Sequence, residues 1–110
     1  MNAAIKKLWT DALRDGRYVQ GFFALRHNNL YCCMGVLTDL YLKKSGLEWE
    51  DKGNGKYVFE KTGGFLPPSV QKWARLKEQN PILQGKKLSV WNDDSELSFK
   101  DIAKKIDKYL

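Results

Sequence analysis

Residues Leu30–Tyr41 read LYCCMGVLTDLY, and the hydrophobic period changes inside this stretch. Leu30 and Tyr31 end a segment rich in Tyr, Val and Phe, as a strand does, whereas Cys33, Val36, Leu37, Leu40 and Tyr41 fall at i, i+3, i+4, i+7 and i+8. That spacing lines one face of a helix, which Ser45-Gly46 ends. The adjacent Cys32 and Cys33 therefore sit at a strand-to-helix junction. Two readings of them compete, beside a third in which they serve redox or partner-disulfide chemistry. Unpaired amides and the dipole at a helix start lower a thiol pKa, so Cys32 or Cys33 could be a nucleophile with His27 as its base. Alternatively, Cys33 is in register with Val36, Leu37 and Leu40 and fills space as a small core residue, while Cys32 packs beneath the preceding strands. Packing is the expectation, because His27 stands in the polar tip RHNN with nothing to orient it.

Working outward, RYVQGFFALRHNNLYC reads as two short strands joined by a turn in which Asn28 or Asn29 takes a positive φ, with Gly21 marking a bulge or a close approach. Before it, Ile5, Leu8, Trp9, Ala12 and Leu13 share one helix face, stopped by Gly16. After the cysteine helix, LEWEDKGNGKYVFEK predicts a second hairpin, with Trp49, Tyr57 and Phe59 as its large groups. Pro67-Pro68 opens a helix carrying Val70, Trp73 and Ala74, which runs to QNP because Asn80 precedes a proline. LSVW reads as a short strand or extended piece. Ser98 then caps a last helix with Asp101 at its third position and Phe99, Ile102, Ala103, Ile106 and Leu110 on the buried side. The expected fold is α+β, a single domain over residues 1–110, with about four short helices and two β-hairpins forming a small antiparallel sheet.

Composition fits a globular domain, at 43% hydrophobic and 13% aromatic residues. No apolar run approaches the ~18 residues that span a bilayer, and the start MNAAIKKLWTDALRDG is amphipathic with internal charges, which points away from a membrane and toward the cytoplasm. Two adjacent cysteines close no long loop, so reduced thiols are expected.

The formal charge of +6 favours anionic partners, whether nucleic acid, a nucleotide or an acidic surface of another protein. Lys100, Lys104 and Lys108 stack at i, i+4 and i+8 on the last helix, and Asp101 with Lys105 offsets part of their repulsion. Such a stripe can lie along phosphates. Lys72, Arg75, Lys77, Lys86 and Lys87 extend it if the fold brings them together, and Arg26 and His27 form a second candidate binding pair at the hairpin tip. Other chemistry lacks its signature. One His and two adjacent Cys do not have the paired spacing of a zinc site, and Asn92-Asp93-Asp94 lacks the glycine and the bidentate Glu of a calcium loop. KGNGK and TGGF match neither phosphate-binding glycine pattern, so no metal and no cofactor is expected. Glu48, Glu50 and Asp51 read as a solvated strand edge. The leading expectation is a non-catalytic binding protein. The alternatives are a cysteine-dependent enzyme using Cys32 or Cys33 with His27, and a homo-oligomer anchored by Trp49, Trp73 or Trp91.

Trp9 to Leu13 (W-x3-L), YCCMGVLTDLY, LPPSVQKWA and WNDDSELSFKDIA together span nearly the whole chain. As a set they resemble a group of short uncharacterised proteins encoded by bacteriophages and prophages. The resemblance implies a phage accessory protein, expressed in the cytoplasm of a bacterial host and acting on a host or defence component. It assigns no activity to any residue.

Overall fold

The computed structural model describes residues 1–110. In chain order the elements are α1 (Ala3–Arg14), β1 (Val19–Gln20), β2 (Arg26–His27), β3 (Leu30–Tyr31), α2 (Cys33–Ser45), β4 (Glu50–Asp51) and β5 (Lys56–Val58). They continue with α3 (Pro68–Ala74), β6 (Ile82–Leu83), β7 (Lys86–Lys87), α4 (Leu88–Asp94) and α5 (Phe99–Tyr109). The α+β class stands, with five helices, a five-stranded mixed sheet and a separate two-stranded ribbon.

Helix α2 is the axis. Every residue from Cys33 to Leu40 is buried, because α1, α3, α4 and β3 all pack against it. Enclosure on all sides explains why its apolar pattern is broader than one stripe. Gly35 makes this packing possible: a methyl group there would overlap the Leu25 carbonyl. Gly46 ends the helix in the left-handed conformation at φ 67°, where a residue with a Cβ is strained. Across the core, the Trp9 indole N–H donates to the Cys33 carbonyl at 2.9 Å, tying α1 to the start of α2.

Helices α1 and α5 lie against one another. The interior side of α1 carries Trp9, Ala12 and Leu13. Leu8, expected on that face, stands at its margin and is exposed, while Thr10 is buried with its hydroxyl donating to the Lys6 carbonyl at 2.9 Å. In α5, Phe99, Ile102, Ala103 and Ile106 are buried, and Ser98 and Asp101 form the expected reciprocal cap.

The sheet departs from two separate antiparallel hairpins. Its order is β1-β3-β2-β5-β4, with β2 paired to β5 (Arg26 opposite Tyr57), so the two hairpins fuse edge to edge. Strand β1 adds in parallel to β3, Val19 opposite Leu30. The expected long hairpin is thus a tight one, β2 to β3, turned by Asn28 at φ 53°. Gly21 is a close approach, since a Cβ there would lie 2.8 Å from the Cβ of Leu30.

Two further corrections concern the second half. LSVW is not a strand but the first turn of α4, in which Leu88 and Asn92, four residues apart, point inward. An asparagine at an interior position hid the helical period. The ribbon β6–β7, turned by Gln84 and Gly85 at positive φ, supplies the strand instead. Helix α3 stops at Ala74 with Arg75 left-handed at φ 56°, well before Asn80, and residues 75–81 run back irregularly, where Gln79 accepts from the Leu66 amide at 2.9 Å.

Candidate functional site

The cysteine junction is built from the inside. Cys32 is the N-cap of α2, and its sulfur accepts from the Gly35 amide at 3.4 Å, the place a serine or aspartate oxygen would take. The Cys33 amide donates to Asn92 Oδ1 at 3.1 Å. Burial pushes the Cys32 thiol up to about 12, against partial relief from the Gly35 and Met34 amides. Burial, and then the neighbouring Cys32, drive Cys33 well above its ordinary value. Enclosure in apolar surroundings outweighs the helix start, so both groups are neutral thiols at pH 7. His27 is exposed beside Asn28, with Nδ1 3.4 Å from the Asn28 amide nitrogen, and bonds to neither sulfur. The nucleophile and base of the enzymatic alternative are not brought together.

Asn92 is a residue that sequence reasoning assigned only to a polar turn. Fully buried, it accepts from Cys33 N–H and from Gln20 Nε2 at 3.2 Å, and it donates to the Gly21 carbonyl at 3.0 Å and to Asp93 Oδ1 at 2.8 Å. One amide side chain thus joins α4 to β1 and to the start of α2. Asp39 is the other unforeseen centre. Its carboxylate accepts from the Tyr18 hydroxyl at 2.5 Å, the Trp49 indole at 2.9 Å and Lys43 Nζ at 3.0 Å. Burial pushes this carboxyl up, but the three donors outweigh burial and hold it below its ordinary value. Tyr18 is raised, first by burial and then by the Asp39 bond. The sequence signal was present: Asp39 is the one acidic residue inside the apolar run Cys33–Leu42.

Arg26 is half-buried. Its guanidinium lies 3.9 Å from the Tyr57 ring centre, with Tyr31 and Trp49 beyond, and Nε donates to the Asn28 carbonyl at 2.7 Å. Stacking and bonding within the sheet occupy much of what the residue offers. Arg26 and His27 belong to β2, apart from α5, whose main neighbours are α1, α4 and β6.

Lys100, Lys104 and Lys108 are exposed along α5 and enter no ion pair. Asp101, expected to pair with Lys105, is held in the Ser98 cap, and Lys105 instead bonds Gln84 at 2.6 Å. Lys105 and Lys86 each approach the Trp91 ring centre to 4.0 Å, so these two cations do converge. Past the end of α5, Arg75 and Lys77 line a cleft of about 300 Å³ with Tyr109 and Leu110. Trp49, Trp73 and Trp91 are half-buried against the core, and the indole N–H groups of Trp49 and Trp91 are already bonded within the chain. The exposed large apolar groups lie elsewhere, at Phe22, Phe23, Leu30 and Phe65 among others.

No group of three or more His, Cys, Asp or Glu side chains is arranged to hold a metal ion, and no helix is long and apolar enough to cross a membrane. These features define a small α+β domain whose thiols and buried carboxylate are engaged in its own packing, and whose terminal helix carries a row of three exposed lysines free of ion pairs. The chain belongs to the family described as Domain of unknown function (DUF8296), which matches it over residues 1–110. No curated protein and no solved structure matches it.

Proposed function

We propose that the protein is a non-catalytic binding protein that presents the α5 ridge to an anionic partner: a nucleic acid, a nucleotide or an acidic face of a host protein. The observation that carries this reading is that Lys100, Lys104 and Lys108 are exposed on one helix without carboxylate partners. Eight residues of α-helix separate the first from the last, about 12 Å of rise, enough to follow several charges of an extended anion. The likeness of YCCMGVLTDLY, LPPSVQKWA and WNDDSELSFKDIA to phage and prophage proteins supports an accessory role in a bacterial cytoplasm, directed at a host or defence component.

The test is fluorescence anisotropy with labelled 20-nucleotide single-stranded and duplex DNA, beside capture from bacterial lysate with and without nuclease. Binding through about three phosphate contacts should weaken tenfold or more between 50 and 200 mM salt. A Lys100→Gln, Lys104→Gln, Lys108→Gln triple variant should lose most of that binding and most of its salt dependence. Unchanged affinity in the folded triple variant, for both DNA and any captured acidic protein, would overturn the reading.

A further inference from the structure

Beyond the lysine ridge, we propose that the cleft between Phe23 and Phe65 is a second docking surface, which takes a Lys or Arg side chain of a partner protein from a segment where it stands beside a large apolar residue. The cleft has a volume of about 270 Å³ and is lined by Phe23, Ala24, Cys32, Phe65, Ser89 and Asp93, among others. Phe23 is 76% exposed and Phe65 52%, two large aromatic rings left open to solvent while Trp9, Tyr18 and Phe99 are buried. Phe23 also holds φ at 64°, a left-handed conformation that a side-chain-bearing residue seldom adopts. Its amide is fixed there by a 3.0 Å bond to Asp93 Oδ1, which in turn accepts from the buried Asn92. Scaffold bonds thus maintain a backbone conformation that presents an aromatic ring to solvent, a pattern associated with function.

Charge selects the occupant. Asp93 Oδ2 accepts no hydrogen bond from this chain, and none of the five ion pairs involves Asp93. An unpaired carboxylate among exposed aromatic rings fits a cation with an apolar stem: methylenes against the rings, head group on the carboxylate. It disfavours an anionic lipid surface or a nucleic acid at this place, although the chain as a whole is basic. A second cleft of about 390 Å³ that also borders Phe23, and is lined by Phe22, Ala24 and Leu30 among others, offers room for the neighbouring apolar residue. The two clefts share Phe23 and Ala24, so one short segment can enter both.

The test is selection of displayed random 12-residue peptides against the immobilised full chain, followed by titration of the synthesised winners. Selected peptides should carry Lys or Arg next to Leu, Phe or a similar residue. Asp93→Asn keeps an oxygen to hold the Phe23 amide while removing the charge, and should weaken these peptides at least tenfold; replacing the peptide cation by norleucine should do the same. Phe23→Ser should abolish binding in a protein whose circular dichroism is unchanged. Failure to select any peptide, selection of acidic or uncharged ones, or equal affinity for Asp93→Asn would overturn the proposal. Concentration-dependent dimerisation removed by Phe23→Ser would assign the surface to a second copy of this chain, and binding to vesicles of anionic phospholipid removed by the same change would assign it to a membrane; either overturns it. Lys100→Gln, Lys104→Gln, Lys108→Gln should bind the peptides normally, which separates this outcome from that of the ridge.

Discussion

Helices α2 and α5 are of similar length, 13 and 11 residues, yet they use their polar groups in opposite ways. Along α2 the polar groups of the buried stretch are consumed internally: Asp39 by three donors, Thr38 by the Met34 carbonyl, and the Cys32 sulfur by the Gly35 amide. Along α5 three lysines face solvent without carboxylate partners, because Asp101 is absorbed by the cap and Asp107 pairs with Arg14. The lesson is that intrinsic reactivity is a poor guide to where this molecule meets others. Its thiols are among its most enclosed side chains, and the groups left available include lysines, phenylalanines and the Asp93 carboxylate.

If α2 is as tightly specified as this comparison says, Gly35→Ala should be the most damaging single change in the chain. Its methyl would collide with the Leu25 backbone, which cannot yield without separating α2 from the segment before β2. A loss of about 4 kcal/mol or more is expected in urea unfolding, or no folded protein at all. Lys104→Ala on α5 should change stability by no more than about 0.5 kcal/mol. Equal tolerance at the two positions would break the contrast.

Asn92→Ala comes next. It strands the Cys33 amide and the Gly21 carbonyl, so about 3 kcal/mol should be lost by the same measurement. Asp39 sharpens the comparison through pH. Because its folded pKa is lowered, the unfolded chain binds the proton first as pH falls. The stability from Asp39 is therefore fully present above the unfolded value of about 3.9, and is lost as pH drops through the lower folded value. Asp39→Asn should cost about 2 kcal/mol at pH 7 and flatten the fall in stability below pH 4, measured by urea unfolding at several pH values. Among the buried positions the smallest effect is expected at the opening pair of residues. Cys33→Ala should cost about 1 kcal/mol, and both thiols of the native protein should label at the rate of opening, with no acceleration near neutrality. Rapid labelling near pH 7 would return the cysteines to chemistry.

How legible these regions were in the sequence differs for a physical reason. Helices α1 and α5 pack on one side, so their stripes and the Ser98 cap could be read locally. Helix α4 could not: it is only seven residues long, and its second inward position is Asn92, whose place in the interior depends on Cys33 and Gly21, 59 and 71 positions away in the chain. The strands posed the same difficulty. Most pair over only two residues, too few for alternation to specify register, and β1 joins in parallel what looked like a hairpin partner. The doublet Phe22-Phe23 after Gly21 also carried a signal, since adjacent side chains of an extended segment point to opposite faces.

By itself the sequence determined what short-range sterics and periodicity can specify: the α+β class, the terminal helices and the Ser98 cap, a turn at Asn28 or Asn29, and the adjacency of two thiols to a helix start. Tertiary structure alone decided that those thiols are sealed and neutral, that Asp39 and Asn92 are internal fasteners, and that Phe23 stands out beside an unpaired carboxylate. Burial, desolvation and the meeting of distant donors and acceptors are properties of the packed chain, and no local pattern encodes them.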